Sequence, residues 1–309
     1  MSFSTLGLEQ SNRIELLLHL ERFTSDDDEA STDELAARFL PRREFSLALD
    51  PRVVILRGDR GAGKTSLFRV ATSGETVGLI GASTWWEGFA DAAGHPAGDT
   101  VEALAETIED RLLRTFWLTH LAGRLLHHDP SLPAWVPDAY LDGPGQPRHW
   151  IAAADEDLGR VQSGLDACEA ALASEQRVVT VAYDHLDRIG VTNREVRVRS
   201  SSALMAIWLS LASRYRMIRG KLFLRNDLFA AGLSRSADAS KLETRSIDLE
   251  WTTQDLYRAL LRRLGANDDL REWVHETLGS GALVHEDDVG WMPPALLPIE
   301  GTVSQKWVS

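Results

Sequence analysis

The sequence predicts an α/β protein in which a mostly parallel sheet is sandwiched by helices, with helical N- and C-terminal additions. Three observations predict it. The runs Val53-Val54-Ile55-Leu56 and Val178-Val179-Thr180-Val181-Ala182 are short, rich in β-branched residues and unalternated, the pattern of strands buried on both faces. Amphipathic stretches of helical spacing separate such runs. Polar residues gather directly after the apolar runs, at the carboxyl ends of strands, where sheets of this kind bind ligands.

The elements follow in order along the chain. Ile14, Leu17, Leu18 and Phe23 recur at helical spacing and predict a short amphipathic helix over 11–23, followed by a solvated acidic run, Asp26-Asp27-Asp28-Glu29. A second helix starts near Thr32 and stops at Pro41. The strand Val53–Leu56 runs straight into glycines, a helix is expected from Lys64 through Ala71, and Thr76 to Ile80 is a further strand candidate. Val101 to His128 reads as one long amphipathic helix with Leu104, Ile108, Leu112, Phe116 and Leu121 inward. Between 129 and 149 five prolines interrupt the periodicity, which predicts an ordered loop or lid-like insertion. A helix over 151–176, the strand 178–182, a helix over 200–216, the strand 221–224 and a weaker strand at 247–249 come next. Helices over 253–264 and 270–278 precede an irregular, proline-containing tail over 291–309. The domain expectation is a helical segment over 1–40, the main α/β domain over 41–265 and a helical or irregular segment over 266–309.

Composition limits the function classes. The chain of 309 residues carries 33 Lys+Arg against 46 Asp+Glu, a net charge of −13, which disfavours non-specific nucleic-acid binding while leaving room for a local basic patch. Arg194, Arg197 and Arg199, with Arg214, Arg216 and Arg219, form two such local clusters; surface ion pairs or subunit contacts are the plainer reading of them. A lone cysteine, Cys168, allows no internal disulfide and no thiolate metal cluster, so a reducing cytoplasm is the expected compartment. No apolar run reaches the roughly 18 residues a membrane helix needs, and the N-terminus shows no basic region followed by an apolar one, so no membrane association is expected. Lysines are scarce (Lys64, Lys221, Lys241 and Lys306), which makes the one in a glycine-rich loop conspicuous.

That loop carries the chemistry. Gly58-Asp59-Arg60-Gly61-Ala62-Gly63-Lys64-Thr65, with Ser66 after it, has the spacing of a phosphate-binding P-loop, or Walker A motif. Glycines let backbone N–H groups turn toward an anion without Cβ interference, and the following helix N-terminus adds partial positive charge. Lys64 would reach the outer phosphates of a nucleoside triphosphate and Thr65 would ligate Mg²⁺. Asp184, directly after a buried strand, is the expected second metal-supporting group. Water must also be oriented for hydrolysis, and either His185 or Asp187 could do this. Arg225 and Asn226 end another apolar strand, where Asn226 could hydrogen-bond attacking water or the terminal phosphate and Arg225 could stabilise transferring charge; an Arg225 bridge to Asp227 or Asp184 is the structural alternative. Asn-Lys-x-Asp, the guanine-reading pattern, occurs nowhere, so ATP is the expected nucleotide.

The segment Leu56-Arg57-Gly58-Asp59-Arg60-Gly61-Ala62-Gly63-Lys64-Thr65-Ser66-Leu67, together with Tyr183-Asp184-His185-Leu186-Asp187-Arg188, resembles the KAP-type and STAND-type P-loop NTPases, whose second motif often reads Asp-Asp-Leu-Asp-Arg. Phe223-Leu224-Arg225-Asn226-Asp227-Leu228-Phe229 and Leu249-Glu250-Trp251 look like bacterial ATPases of the same group. The resemblance spans roughly residues 40–264. It implies an ATP-driven, Mg²⁺-dependent molecular switch, often oligomeric, often acting with a separate effector protein and often part of prokaryotic antiphage systems. His185 stands where that pattern has a second acidic residue. A nucleotide-gated scaffold with little hydrolysis is therefore the first alternative, and a small-molecule kinase using the 129–149 segment as an acceptor lid is the second.

Overall fold

The computed structural model describes residues 39–40, 43–48, 50–73, 84–90, 95–236, 238–253, 255, 256 and 259. Arg43–Glu250 forms one compact unit, with Met1–Arg42 and Trp251–Ser309 grouped apart from it. The elements expected at 11–23, 76–80, 270–278 and 291–309 lie outside the described residues, as does most of those at 32–40 and 253–264.

Within the unit the chain forms α1 (Arg43–Ala48), β1 (Ile55–Gly58), α2 (Lys64–Thr72), β2 (Thr84–Phe89), α3 (Gly98–Ala105), α4 (Asp110–His128), α5 (Asp138–Asp142), α6 (Pro147–Glu156), α7 (Leu158–Ser174), β3 (Val179–Tyr183), a 3₁₀ turn (Leu186–Arg188), α8 (Arg194–Arg214), β4 (Ile218–Arg225), α9 (Asn226–Leu233), α10 (Ala239–Thr244) and β5 (Ser246–Asp248). The five strands make one all-parallel sheet in the order β2-β3-β4-β1-β5. Parallel pairing with helical crossovers buries both faces, which is why β3 is buried along its whole length.

Strand periodicity shows which helix lies on which face. Gly220 and Phe223 of β4 are three apart and so point to opposite sides. Phe223 meets Phe68 of α2 edge-on at 5.8 Å between ring centroids. Gly220 lies against Trp208 of α8, whose ring would be 2.2 Å from a Cβ at that position. Thus α2 covers one face and α8 the other, and α8 shares its layer with α4, where Trp117 meets Tyr183 edge-on at 6.1 Å.

Strand order also fixes where a crevice opens. The chain leaving β1 runs to the β2 edge, whereas the chain leaving β4 crosses to the β5 edge. Neighbouring strands that send their connections in opposite directions part at their carboxyl ends, the switch point at which ligands bind in open α/β sheets. Register puts Gly58 beside Arg225 and Tyr183 beside Leu222, so the ends of β1, β4 and β3 lie along one rim.

Several expectations need correction. The single helix over 101–128 is two helices, α3 and α4, because Arg199 of α8 donates to the carbonyls of Ala105 and Ile108 and to the Asp110 carboxylate, satisfying groups that a continuous helix would pair internally. The helix over 151–176 is likewise divided at Asp157, and its first part begins at Pro147, a residue suited to the first helical turn. Inside 129–149, α5 and the buried Leu132, Val136 and Tyr140 pack on the helical layer; Gly123 of α4 vacates the space for the Tyr140 ring. Strand β2 was not expected at all. Its residues, Thr84-Trp85-Trp86-Glu87-Gly88-Phe89, form an edge strand with a bulge at Gly88, where a Cβ would lie 2.5 Å from Val181. Among the described residues, no helix is long and apolar enough to cross a membrane.

Two polar anchors hold β4. Glu169 of α7 accepts from the backbone N–H groups of Arg216, Met217 and Ile218 at 2.6, 2.9 and 2.9 Å, pinning the strand's start. Lys221 is 2% exposed and donates to the carbonyls of Asp50 and Val53, the approach to β1. Burial pulls the Lys221 ammonium from its ordinary 10.5 down to about 7, against the attraction of Asp50.

Replacing Glu169 by Ala leaves three strand-start donors without their charged acceptor, and an unfolding titration should read a loss of about 2 kcal/mol. Between pH 7 and 10 the unfolded chain holds a proton on Lys221 that the native state does not, so native stability should rise with pH across that window. In Lys221→Met this rise should flatten, measured as the denaturation midpoint against pH.

Candidate functional site

The loop between β1 and α2 turns through two left-handed glycines, Gly61 at φ 78° and Gly63 at φ 86°. Only glycine adopts these angles without strain, and two of them in a five-residue loop curl the chain back on itself. Gly58, at the end of β1, answers a different need. A Cβ there would lie 2.8 Å from Ala62 Cβ and 3.0 Å from the Leu249 carbonyl, so the loop and the segment after β5 close on it from two sides. Ala62 is buried and its N–H donates to Asp59 O at 3.2 Å, while Arg60 stands exposed at the apex. Lys64, the first residue of α2, bends over the loop and donates to Gly58 O at 2.8 Å and Asp59 O at 2.9 Å. Ser66 follows Thr65 within the first turn of α2.

Beside the loop stands Asp184, 4% exposed, its N–H held by Phe89 O at 2.9 Å. Its carboxylate accepts from the Thr65 hydroxyl and the His185 backbone, yet Oδ2 has no hydrogen-bond partner. Burial raises the Asp184 carboxyl above the ordinary carboxylate range, opposed by the nearby His185, the Thr65 hydroxyl and Lys64. Lys64 is pulled down by burial and held up by Asp184 and Asp187. These groups thus share one field.

His185 sits in the left-handed region at φ 55°, with Nε2 3.7 Å from Asp184 Oδ2. A non-glycine residue there is uncommon and reverses the chain sharply, so that the following 3₁₀ turn returns Asp187 to the rim. Arg225 makes two hydrogen bonds to Asp227, at 3.0 and 3.1 Å, and its Nη1 lies 3.7 Å from Asp187 Oδ2. Asn226 Nδ2 donates to Asp59 Oδ1 at 3.1 Å, and its buried Oδ1 has no partner. Lys64, Thr65, Asp184, His185, Asp187, Arg225 and Asn226 therefore come together with the glycine loop along the rim of β1, β3 and β4. Of the alternatives for Arg225, the bridge to Asp227 forms and Asp187 replaces Asp184 as the second anion.

Four of the six arginines of the two clusters bond within the chain. Arg197 donates to Gly190 O, Arg199 serves the α3–α4 break, Arg214 pairs with Asp166 and Arg219 donates to Arg216 O. Among the described residues no group of three or more His, Cys, Asp or Glu side chains forms a metal cage. An alcohol and a carboxylate with a free oxygen are nonetheless the ligands of a hard cation that completes its shell with water and phosphate.

Two contributors escaped the sequence reading. Phe89 O positions Asp184, and the Leu249 carbonyl backs Gly58. The aromatic run Trp85-Trp86 was a signal for the strand that supplies the first; nothing local marked the second. Set against protein-family models, curated proteins and solved structures, the chain matches none of them.

Gly58→Ala should cost about 1–3 kcal/mol in an unfolding titration, because backbone on one side and a packed methyl on the other must move. Gly159→Ala is the internal control: nothing lies within 4 Å of a Cβ there, and alanine in α7 should be neutral or stabilising by up to about 1 kcal/mol.

Proposed function

We propose that this chain is a P-loop ATPase of the KAP/STAND-like kind, a cytoplasmic switch that binds MgATP, hydrolyses it and passes the change to a partner such as a separate effector protein or further copies of itself. One observation carries the reading: the Thr65 hydroxyl meets a buried Asp184 whose second carboxylate oxygen is unpartnered, beneath a loop of left-handed glycines closed by Lys64. A buried carboxylate is costly to keep, and an orphaned oxygen makes it more so. Thr65 and Asp184 would hold a hard cation, whose charge would offset both costs.

The residues divide the work by position. At the N-terminal end of α2 the backbone N–H groups of Gly63, Lys64 and Thr65 would receive an anion, aided by the helix's partial positive charge. Lys64, already held by two loop carbonyls, supplies the fixed positive charge for the outer phosphates. Thr65 and Asp184 would hold Mg²⁺, which neutralises charge developing on the transferring phosphoryl group. Asp187 faces the rim as a carboxylate and is better placed than His185 to take a proton from water, since His185 leans on Asp184. Arg225 stands beside Asp187, where it can meet charge on the terminal phosphate.

A second reading, a nucleotide-gated scaffold that turns over little, draws on two contacts: His185 occupies the acidic position, and Arg225 engages Asp187. An antiphage role belongs to the same proposal and rests on the resemblance alone.

MgATP should raise the melting midpoint of the wild-type protein and leave that of Lys64→Ala unchanged, as ligand linkage requires. Single-turnover hydrolysis then separates the two readings. A phosphate burst lost in Asp187→Asn and Asp184→Ala supports the ATPase; stable binding without release supports the scaffold. Absence of any midpoint shift in the wild type would sink both.

A further inference from the structure

One side-chain bond crosses the crevice between β1 and β4. Register sets Gly58 against Arg225, so the next residues, Asp59 and Asn226, stand side by side where the two strands part. Asn226 donates to Asp59 Oδ1 at 3.1 Å. Asp59 is at the same time a pivot of the loop: its carbonyl accepts from Lys64 Nζ at 2.9 Å and from Ala62 N–H at 3.2 Å. Main chain and side chain of one residue thus tie the glycine loop to its lysine and to the start of α9.

The far end of that tie is firm. Asn226 is the first residue of α9. The ring of Phe229 in α9 carries the Arg57 guanidinium 5.2 Å from its centroid, and Gly232 packs so closely on α8 that a Cβ would lie 2.0 Å from Met205 Cε. The amide is also held in one orientation. Turning it over would set its oxygen against the Asp59 carboxylate, acceptor against acceptor. A carboxylate in an anion-receiving loop needs such an offset, which the amide donor and the N-terminal end of α9 supply.

We propose that Asp59 and Asn226 are positioning residues whose hydrogen bond clasps the glycine loop to α9 and sets the loop's opening for a triphosphate. The proposal rests on the MgATP reading above. It gives Asn226 a task that acts through Asp59, distinct from touching water or phosphate, and it links the nucleotide loop to α8 through α9.

Exchange of the two side chains tests it. Asn226→Asp sets two carboxylates face to face and should raise the KM for MgATP about tenfold while kcat changes less than about threefold. Adding Asp59→Asn recreates the bond with donor and acceptor exchanged and should restore KM to within about threefold of wild type. If the exchanged pair binds as poorly as Asn226→Asp, or if Asn226→Asp binds normally, the clasp is wrong. Should Asn226→Asp fail to fold, the alanine cycle decides: Asp59→Ala with Asn226→Ala should be no worse than the worse single change, and additive losses overturn the clasp. A wild-type protein that ignores MgATP defeats the nucleotide reading instead, so the two failures are distinguishable.

Discussion

The pairing of β1 with β4 is the constraint on which the remainder depends. These strands are far apart in the chain, yet their register places Gly58 and Arg225 in one row. From that row the glycine loop rises on one side and α9 on the other, and the crossing connections keep the space between them clear. Both anchors of β4 serve this arrangement. Glu169 fixes where the strand begins, and Lys221 ties its middle to the segment that leads into β1. A slip of one residue would turn Phe223 away from Phe68 and carry Arg225 off the rim.

Charge organises what the backbone brings together. Lys64 and Arg225 stand among Asp59, Asp184, Asp187 and Asp227, so the rim holds more negative than positive groups. Such an excess is costly for the most buried member, Asp184, and it is relieved by a cation or by a proton. The same excess makes the hydrogen-bond donors on the rim significant. Thr65 serves Asp184, Asn226 serves Asp59, and Arg225 serves Asp227.

Much of this was legible in the sequence, for identifiable reasons. A parallel sheet is written in unalternated apolar runs, β-branched in β1 and β3, and β1, β3 and β4 each lie within about three residues of the runs that announced them. The glycine spacing of the β1–α2 loop is likewise local: its left-handed turns fall on Gly61 and Gly63. What failed to show was set by tertiary contact. The break between α3 and α4 depends on Arg199, which is supplied from α8, far along the chain. Strand β2 was hidden because Glu87 and Gly88 interrupt its apolar run, although its aromatic pair favours a strand. The Arg225–Asp187 and Asn226–Asp59 partnerships could not be chosen from sequence, since both arise from which strands are neighbours.

A crystal structure of the protein with Mg²⁺ and a non-hydrolysable ATP analogue tests the central claim most directly. The expected result is a triphosphate held at the N-terminal end of α2 by the backbone amides of Gly63 to Thr65, with Lys64 at its outer end and a metal ion beside Thr65 and Asp184. A nucleotide bound away from the ends of β1 and β4, or phosphates at saturating analogue that touch neither Lys64 nor the start of α2, would contradict it.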